Sequence, residues 1–278
     1  MGRILIYISL IILLRYAYTY VNNRSEYFEN HLNLLDNVDE VYAKFYNIVF
    51  NESFVFDYDY KIIKNTLKKN SRILDAGTGT GKYYNYFIKN YDIIGVDMSR
   101  DFLKHAKINS PLGKFVEGNL INPGLFKLKQ FSHILCLLET LYHNNYKNQA
   151  LILKNFYKWL EPNGYLFIHI FDYKKLVPSP RNYSTLYVDD YKNLHSYTEF
   201  PNFNHDAYYI KDDNNVTYKE KYTMNKTKKI RMQETKLYIP KNKEKTIKQI
   251  LEVGFKLYDT HKMEFYDDTD LVLYVFKK

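Results

Sequence analysis

Residues 71–81 read Ser-Arg-Ile-Leu-Asp-Ala-Gly-Thr-Gly-Thr-Gly, and this stretch decides the fold. Ile73-Leu74 supplies a short apolar strand, Asp75 stands at its carboxyl end, and Gly77, Gly79 and Gly81 then alternate with Thr78 and Thr80. Glycine at such a turn permits positive φ and lets the backbone approach a ligand closely. The helix expected over 82–89 presents free N–H groups behind the loop. A second strand, Asp92 to Val96, ends in Asp97, twenty residues after Gly77, where an acid is placed to accept both hydroxyls of a ribose. Met98 follows and can pack on a purine face, and Ser99 is the N-cap of a helix expected over 100–109. A bare glycine triplet is a weak signal. The whole constellation of strand, acid, alternating glycines, helix, strand and acid is a strong one. The spacing is GxGxG, not the GxGxxG of a dinucleotide site, and no GxxxxGK[ST] loop occurs, which argues against ATP phosphate chemistry.

Working outward, these segments resemble the class I S-adenosylmethionine-dependent methyltransferases. Ile73 to Gly81 is similar to their first motif, Ile94-Gly95-Val96-Asp97-Met98-Ser99 to their second, and Phe115-Val116-Glu117-Gly118-Asn119-Leu120 to their third, with Asn119 where Asp is commoner. Ser132 to Leu138 resembles the fourth strand, and Leu160 to Leu166 the turn into the fifth, with Asn163 where Gly is usual. The resemblance runs from Val41 to Phe171, with a looser match beyond. It is nearest to small-molecule-type members and, more remotely and partly on composition, to membrane-tethered ones of large DNA viruses. It implies an α/β, Rossmann-like seven-stranded sheet with helices on both faces and the last strand antiparallel. It also implies S-adenosyl-L-methionine as cofactor and in-line attack of a nucleophile on the sulfonium methyl. The implied cofactor contacts are Asp75, Ala76, Gly77, Thr78 and Gly79 at the amino-acid part, Asp97 at the ribose, and Met98, Asn119 and Leu120 at the adenine. Leu137, at the end of the fourth strand, is a further contact. Tyr46, in FYNIVF, resembles the aromatic residue that closes over the methionine moiety; a plain core aromatic is the alternative. Lys82 reads as a solvated side chain.

Acceptor residues belong at the carboxyl ends of the fourth and fifth strands, where open α/β sheets bind ligands. Glu139 is a candidate to hold an ammonium or orient the acceptor. His143 is a candidate general base, since an ordinary imidazole titrates near neutrality; a surface histidine in a polar loop is the alternative. His169, inside an apolar strand, reads as a satisfied core residue, and Cys136 as packing. The absence of an Asn/Asp-Pro-Pro-aromatic sequence after the fourth strand disfavours methylation of DNA bases. Two strands, Val216 to Tyr222 and Lys229 to Ile239, flank Asn225-Lys226-Thr227 as a hairpin. Glu234 and Arg231 on it are possible acceptor contacts, though solvated positions are the favoured reading.

The chain has 278 residues, of which 46% are hydrophobic, enough for a sizeable core, and its single cysteine rules out a disulfide framework or a Cys-rich zinc module. No metal site is expected. The net charge of +9 admits nucleic acid as a partner, but the basic residues are scattered and read as solvated faces. Ile4 to Leu14 is an uncharged apolar run, shorter than the ~20 residues of a full crossing. With Arg15 snorkelling and Tyr16, Tyr18 and Tyr20 at the interface, it reads as a membrane anchor; a cleaved signal and a buried helix are the alternatives. The expected organisation is an anchor (1–21), a linker (22–40) and a methyltransferase domain (41–278). That domain divides into N-terminal helices (41–70), a cofactor-binding core (71–173), a β-hairpin cap inserted after strand five (174–239), and the last helix with strands six and seven (240–278). The reading is a methyltransferase acting on N or O of a small-molecule or lipid-linked acceptor. It would be membrane-associated, with the catalytic domain in the cytosol, at a viral or host-cell membrane. An RNA or protein methyltransferase, or a non-catalytic protein of this fold, are the other readings.

Overall fold

The computed structural model describes residues 39–51, 53–176, 185–189, 193–212, 215–262 and 271–278. The anchor and most of the linker expected from sequence therefore lie outside the described residues. Among the described residues, no helix is long and apolar enough to cross a membrane.

The chain opens with α1 (Glu40–Val49), whose N-cap Asp39 accepts from the Tyr42 N–H, and α2 (Ser53–Ile63), which passes into a 3₁₀ turn at Lys64–Thr66. α2 starts at Ser53 because Phe54, Val55 and Phe56 supply its first apolar turn, with Val55 and Phe56 buried. Then come β1 (Arg72–Ala76), a single helical turn α3 (Tyr84–Phe87), β2 (Asp92–Asp97), α4 (Arg100–Asn109), β3 (Lys114–Glu117), β4 (Phe131–Cys136), α5 (Tyr146–Trp159) and β5 (Leu160–Phe171). Ser99 caps α4 by accepting from the Phe102 N–H, as the sequence suggests. α3 is much shorter than the 82–89 expected.

Strands β1, β2, β3, β4 and β5 pair in parallel. The central strands β1, β4 and β5 are buried on both faces, which is why they read as apolar runs and not as alternating patterns, while β3 is the exposed edge. After the cap come α6 (Glu244–Val253), β11 (Lys256–Lys262) and β12 (Leu271–Lys277), with β12 antiparallel to both β5 and β11. The sheet order is β11-β12-β5-β4-β1-β2-β3, seven strands with helices on both faces, which is the fold class expected. Gly254, at φ +116, closes α6 as a left-handed cap, so the sixth strand of this sheet begins at Lys256 and not at the glycine. The core lies on both sides of the sheet. Trp159, Phe156 and Leu160 are packed on one side, Tyr84, Phe87 and Ile63 on the other.

The cap is larger than a hairpin. The expected pair is present as β9 (Val216–Met224) and β10 (Ile230–Leu237). β6 (Thr185–Asp189), β7 (Asn193–Glu199) and β8 (Phe203–Lys211) extend it into a five-stranded antiparallel meander.

Candidate active site

A cavity of about 630 Å³ opens at the carboxyl ends of β1, β2 and β4, walled on the far side by α1 and β10. It is within the size range of small-molecule sites. Its floor is the glycine turn. The N–H groups of Gly77 and Thr78 both donate to the Val96 carbonyl, at 2.8 and 2.9 Å, which folds the turn back over β2. Gly77 has φ +71, and a Cβ there would meet the Thr140 side chain at 2.5 Å. Gly79 has φ +54, and a Cβ there would stand in open space, so this glycine leaves bare backbone facing the cavity.

Two carboxylates flank the turn. Asp75 is buried and accepts from Thr78 Oγ1 at 2.6 Å. Burial pushes its pKa up to about 7; the Thr78 bond opposes this and the Asp97 charge adds to it. Asp97 spans the turn and the next helix: Oδ2 accepts from the Gly79 N–H at 2.9 Å and Oδ1 from the Ser99 N–H at 2.8 Å. Burial raises its pKa while these backbone donors pull it back. Met98 is exposed beside it, and Asn119 and Leu120 line the same end of the cavity. The Asn119 side-chain oxygen accepts from the Ile121 N–H, which fixes that loop. Ala76, Thr78 and Leu137 also line the cavity. Bare backbone at Gly79, the buried carboxyl of Asp75 and the half-buried one of Asp97 form a cradle that fits a nucleoside carrying positive charge, such as S-adenosylmethionine.

Tyr46 projects from α1 onto the cavity, stacks on Phe50 and packs at a tilt against Phe102, with ring centroids 4.5 and 4.9 Å apart. Lys82 is not the solvated side chain the sequence suggested. Its Nζ donates to the carbonyls of Phe50 (2.8 Å) and Asn47 (3.2 Å), groups that the end of α1 leaves without helical partners. The ammonium also lies 5.7 Å from the Tyr46 ring centre. Sequence alone gave no sign that this lysine folds back onto a helix more than thirty residues upstream.

The opposite wall carries Glu139, His143 and Asn144, just beyond β4, and Gln233 to Lys236 on β10. The N–H groups of Tyr142 and His143 both donate to the Glu139 carbonyl, which winds this segment into a turn and sets Glu139 and His143 on one wall. His143 is exposed to the cavity while protein surrounds that space, and the desolvation brings its pKa down to about 4. Glu234 is half-buried and pairs with Lys219 across the β9–β10 ladder at 3.3 Å, on the strand face opposite Gln233 and Thr235. Arg231 turns elsewhere and donates to Asp39 Oδ2, at the start of α1. Cys136 is buried and its thiol pKa is pushed up by burial, as suits a packing residue. His169 is buried and bonded on both ring nitrogens. Tyr42, Gln233 and Thr235 line the cavity and were not singled out in the sequence. The alternation of β10, which places Gln233 and Thr235 on one face, was the available signal. Among the described residues, no cluster of His, Cys, Asp and Glu could hold a metal ion.

A methyltransferase-domain family profile matches residues 73–164. The carboxy-S-adenosyl-L-methionine synthase of Nautilia profundicola is 27% identical over 175 residues, covering 58% of this chain and 72% of the relative. The phosphoethanolamine N-methyltransferase of Plasmodium falciparum is 24% identical over 179 residues, covering 58% of this chain and 66% of the relative. Among solved structures, an S-adenosylmethionine-dependent methyltransferase from Clostridium acetobutylicum superposes with TM-score 0.66 at 16% identity, covering 85% of this chain and 97% of that one. The sugar N-methyltransferase KedS8 from Streptoalloteichus gives 0.64 at 15% identity, covering 88% and 95%. These structural likenesses speak to the fold.

Proposed function

We propose that this chain, a class I S-adenosylmethionine-dependent methyltransferase, methylates a nitrogen of a small, polar amine. The observation that carries the reading is the pairing, in one cavity, of the glycine-and-carboxylate cradle with a wall bearing Glu139 and His143. Two of the proteins reported above are named as N-methyltransferases of small amines or sugars, which supports an acceptor of that kind.

Asp97, Asp75 and the Gly77–Gly79 backbone would hold S-adenosylmethionine, which supplies an electrophilic methyl group on a sulfonium sulfur. The chain's own residues then have three tasks. Glu139 attracts a cationic or amine-bearing acceptor and stabilises the positive charge that nitrogen acquires as it is methylated. His143, with a pKa near 4, is neutral at pH 7, so it accepts a hydrogen bond from the acceptor's N–H and points the nitrogen lone pair. Tyr42 and Tyr46 close the side toward α1. A neutral amine needs no strong base to attack, whereas a hydroxyl does.

The test is transfer of radiolabelled methyl from S-adenosylmethionine into fractionated cell extract. Label in a small cationic product supports the reading. Label confined to RNA or protein overturns it.

A further inference from the structure

The acceptor wall begins at a residue in a conformation leucine rarely adopts. Leu138, two residues beyond β4, has φ +51, the left-handed region that a residue with a side chain enters only when its surroundings hold it there. What holds it is visible on the neighbouring strand. The Leu138 N–H donates to Nδ1 of His169, on β5, at 2.9 Å. The other ring nitrogen, Nε2, lies 3.3 Å from Asp59 Oδ1 and 3.2 Å from Oδ2. Asp59 comes from α2, and both side chains are almost wholly buried. The hydroxyl of Tyr83, a residue that lines the cavity, donates to Asp59 Oδ2.

We propose that Asp59 and His169 are positioning residues that set the acceptor wall. The direction of each hydrogen bond follows from the first. A backbone N–H can only donate, so Nδ1 must offer a lone pair, and the ring proton must sit on Nε2. That proton points at Asp59. The same side chain accepts from Tyr83, so the two Asp59 oxygens meet two donors. The relay therefore has one proton arrangement: Tyr83 and His169 donate to Asp59, and Leu138 donates to His169. It fixes Leu138 in its left-handed turn, which sends Glu139 and Thr140 to the cavity. Thr140 then fills the space above Gly77 that a Cβ would occupy, so the relay also meets the cofactor turn. A buried ionisable pair is a poor way to fill a core, since apolar residues of similar volume often stabilise as well or better. Here every link ends on a group that shapes the cavity. This inference rests on reading Glu139 to His143 as the acceptor wall.

Two measurements test it. In full-length wild-type protein with ¹⁵N-labelled imidazoles, long-range ¹H–¹⁵N spectra are expected to show His169 with its single proton on Nε2; a proton on Nδ1 overturns the proposal. Hydrogen exchange at the Leu138 amide is then compared in His169→Asn, whose side-chain oxygen lies near the place of Nδ1, and His169→Gln, whose amide reaches the Nε2 end. Exchange is expected to be at least about tenfold faster in His169→Gln and within about threefold of wild type in His169→Asn, with S-adenosylmethionine binding held within about threefold in both. Unchanged Leu138 exchange in folded His169→Gln overturns the relay. The wild-type spectrum gives the answer even where a variant does not fold. A wild type that methylates no acceptor, with the exchange order intact, rejects the acceptor reading and supports the relay.

Discussion

Cofactor affinity should depend on pH through Asp75, and the size of the effect follows from its burial. The carboxyl is 3% exposed and its pKa is held up from 3.8 to about 7, mainly by desolvation. At ~1.4 kcal/mol per pH unit, ionising it in that pocket costs ~4 kcal/mol more than in the unfolded chain. The sign follows from proton counting. Between about pH 4 and about pH 7 the native state holds a proton that the unfolded state has lost, so stability falls as pH rises through that window. A cation bound beside Asp75 reverses the preference and expels the proton. S-adenosylmethionine affinity should therefore climb as Asp75 ionises, by ~15-fold between about pH 5.5 and about pH 7, and then level off. Calorimetry in two buffers of different ionisation heat measures both the affinity and the proton count, and near pH 6 about one proton should leave per cofactor bound. Asp75→Asn keeps an oxygen for the Thr78 hydroxyl but cannot ionise, so it should bind with a flat pH profile. A flat profile in wild type, or the same slope in Asp75→Asn, refutes the reasoning.

Asp97→Ala removes the acceptor for two backbone N–H groups and the carboxylate at the ribose end of the cradle. Charge-assisted bonds of ~1.5–3 kcal/mol each predict a loss of S-adenosylmethionine affinity on the order of 100-fold, read by equilibrium dialysis; a change below about threefold would remove Asp97 from the cradle. Lys82→Met keeps the stem but leaves the Phe50 and Asn47 carbonyls without their ammonium; with the group partly exposed, ~1 kcal/mol is expected, a fall in Tm of ~2–4 °C by calorimetry. The anchor expected over residues 4–21 predicts that full-length protein pellets with membranes after a high-salt wash, whereas a chain starting at residue 39 does not; recovery of the full-length protein in the supernatant counts against it.

The parts that were legible in sequence are those in which local chemistry alone fixes the conformation. Positive φ at Gly77 and Gly79, the acid ending each of the first two strands, and the Ser99 cap are properties of a few adjacent residues, and the pattern survives without knowing what packs on it. The central parallel strands β1, β4 and β5 were legible because burial on both faces makes them continuously apolar. The rest of the cap was not, for a physical reason. The inward residues of β7 and β8 include Ser196, Thr198 and His205, all buried, so the apolar alternation that marks a half-buried strand is replaced by polar against polar. Lys82 and Asp59 were misread or passed over because their roles depend on partners distant in sequence. A lysine after a glycine turn and an aspartate in a Tyr-Asp-Tyr helix look the same whether solvated or folded inward. The left-handed Leu138 left no trace at all, since nothing local requires it.

The two halves of the cavity meet at α1, and its bonds explain how a helix with an exposed outer face is held in place. At its end, Asn47 and Phe50 receive Thr80 and Lys82 from the cofactor turn. At its start, Asp39 accepts from Arg231, and one turn on, the Tyr42 hydroxyl donates to Glu220 Oε2 at 2.7 Å, both partners being cap residues. Glu220 is fully buried and also meets Tyr222 and His205, at 2.5 and 3.0 Å. A carboxylate so placed is tolerated only where donors replace the water it has lost, and removing one donor leaves a buried charge short of a partner, at ~1–3 kcal/mol. An apolar contact between α1 and the cap would let the helix slide by fractions of a turn at small cost. A carboxylate that needs the Tyr42 hydroxyl within bonding distance does not. Tyr46 lies one turn beyond Tyr42 on the same face, so a bond that fixes the register against the cap also fixes the ring that closes the cofactor side. The geometry thus couples the wall that receives the acceptor to the aromatic side chain over the cradle through a single helix, without any contact between the cap and the glycine turn being needed.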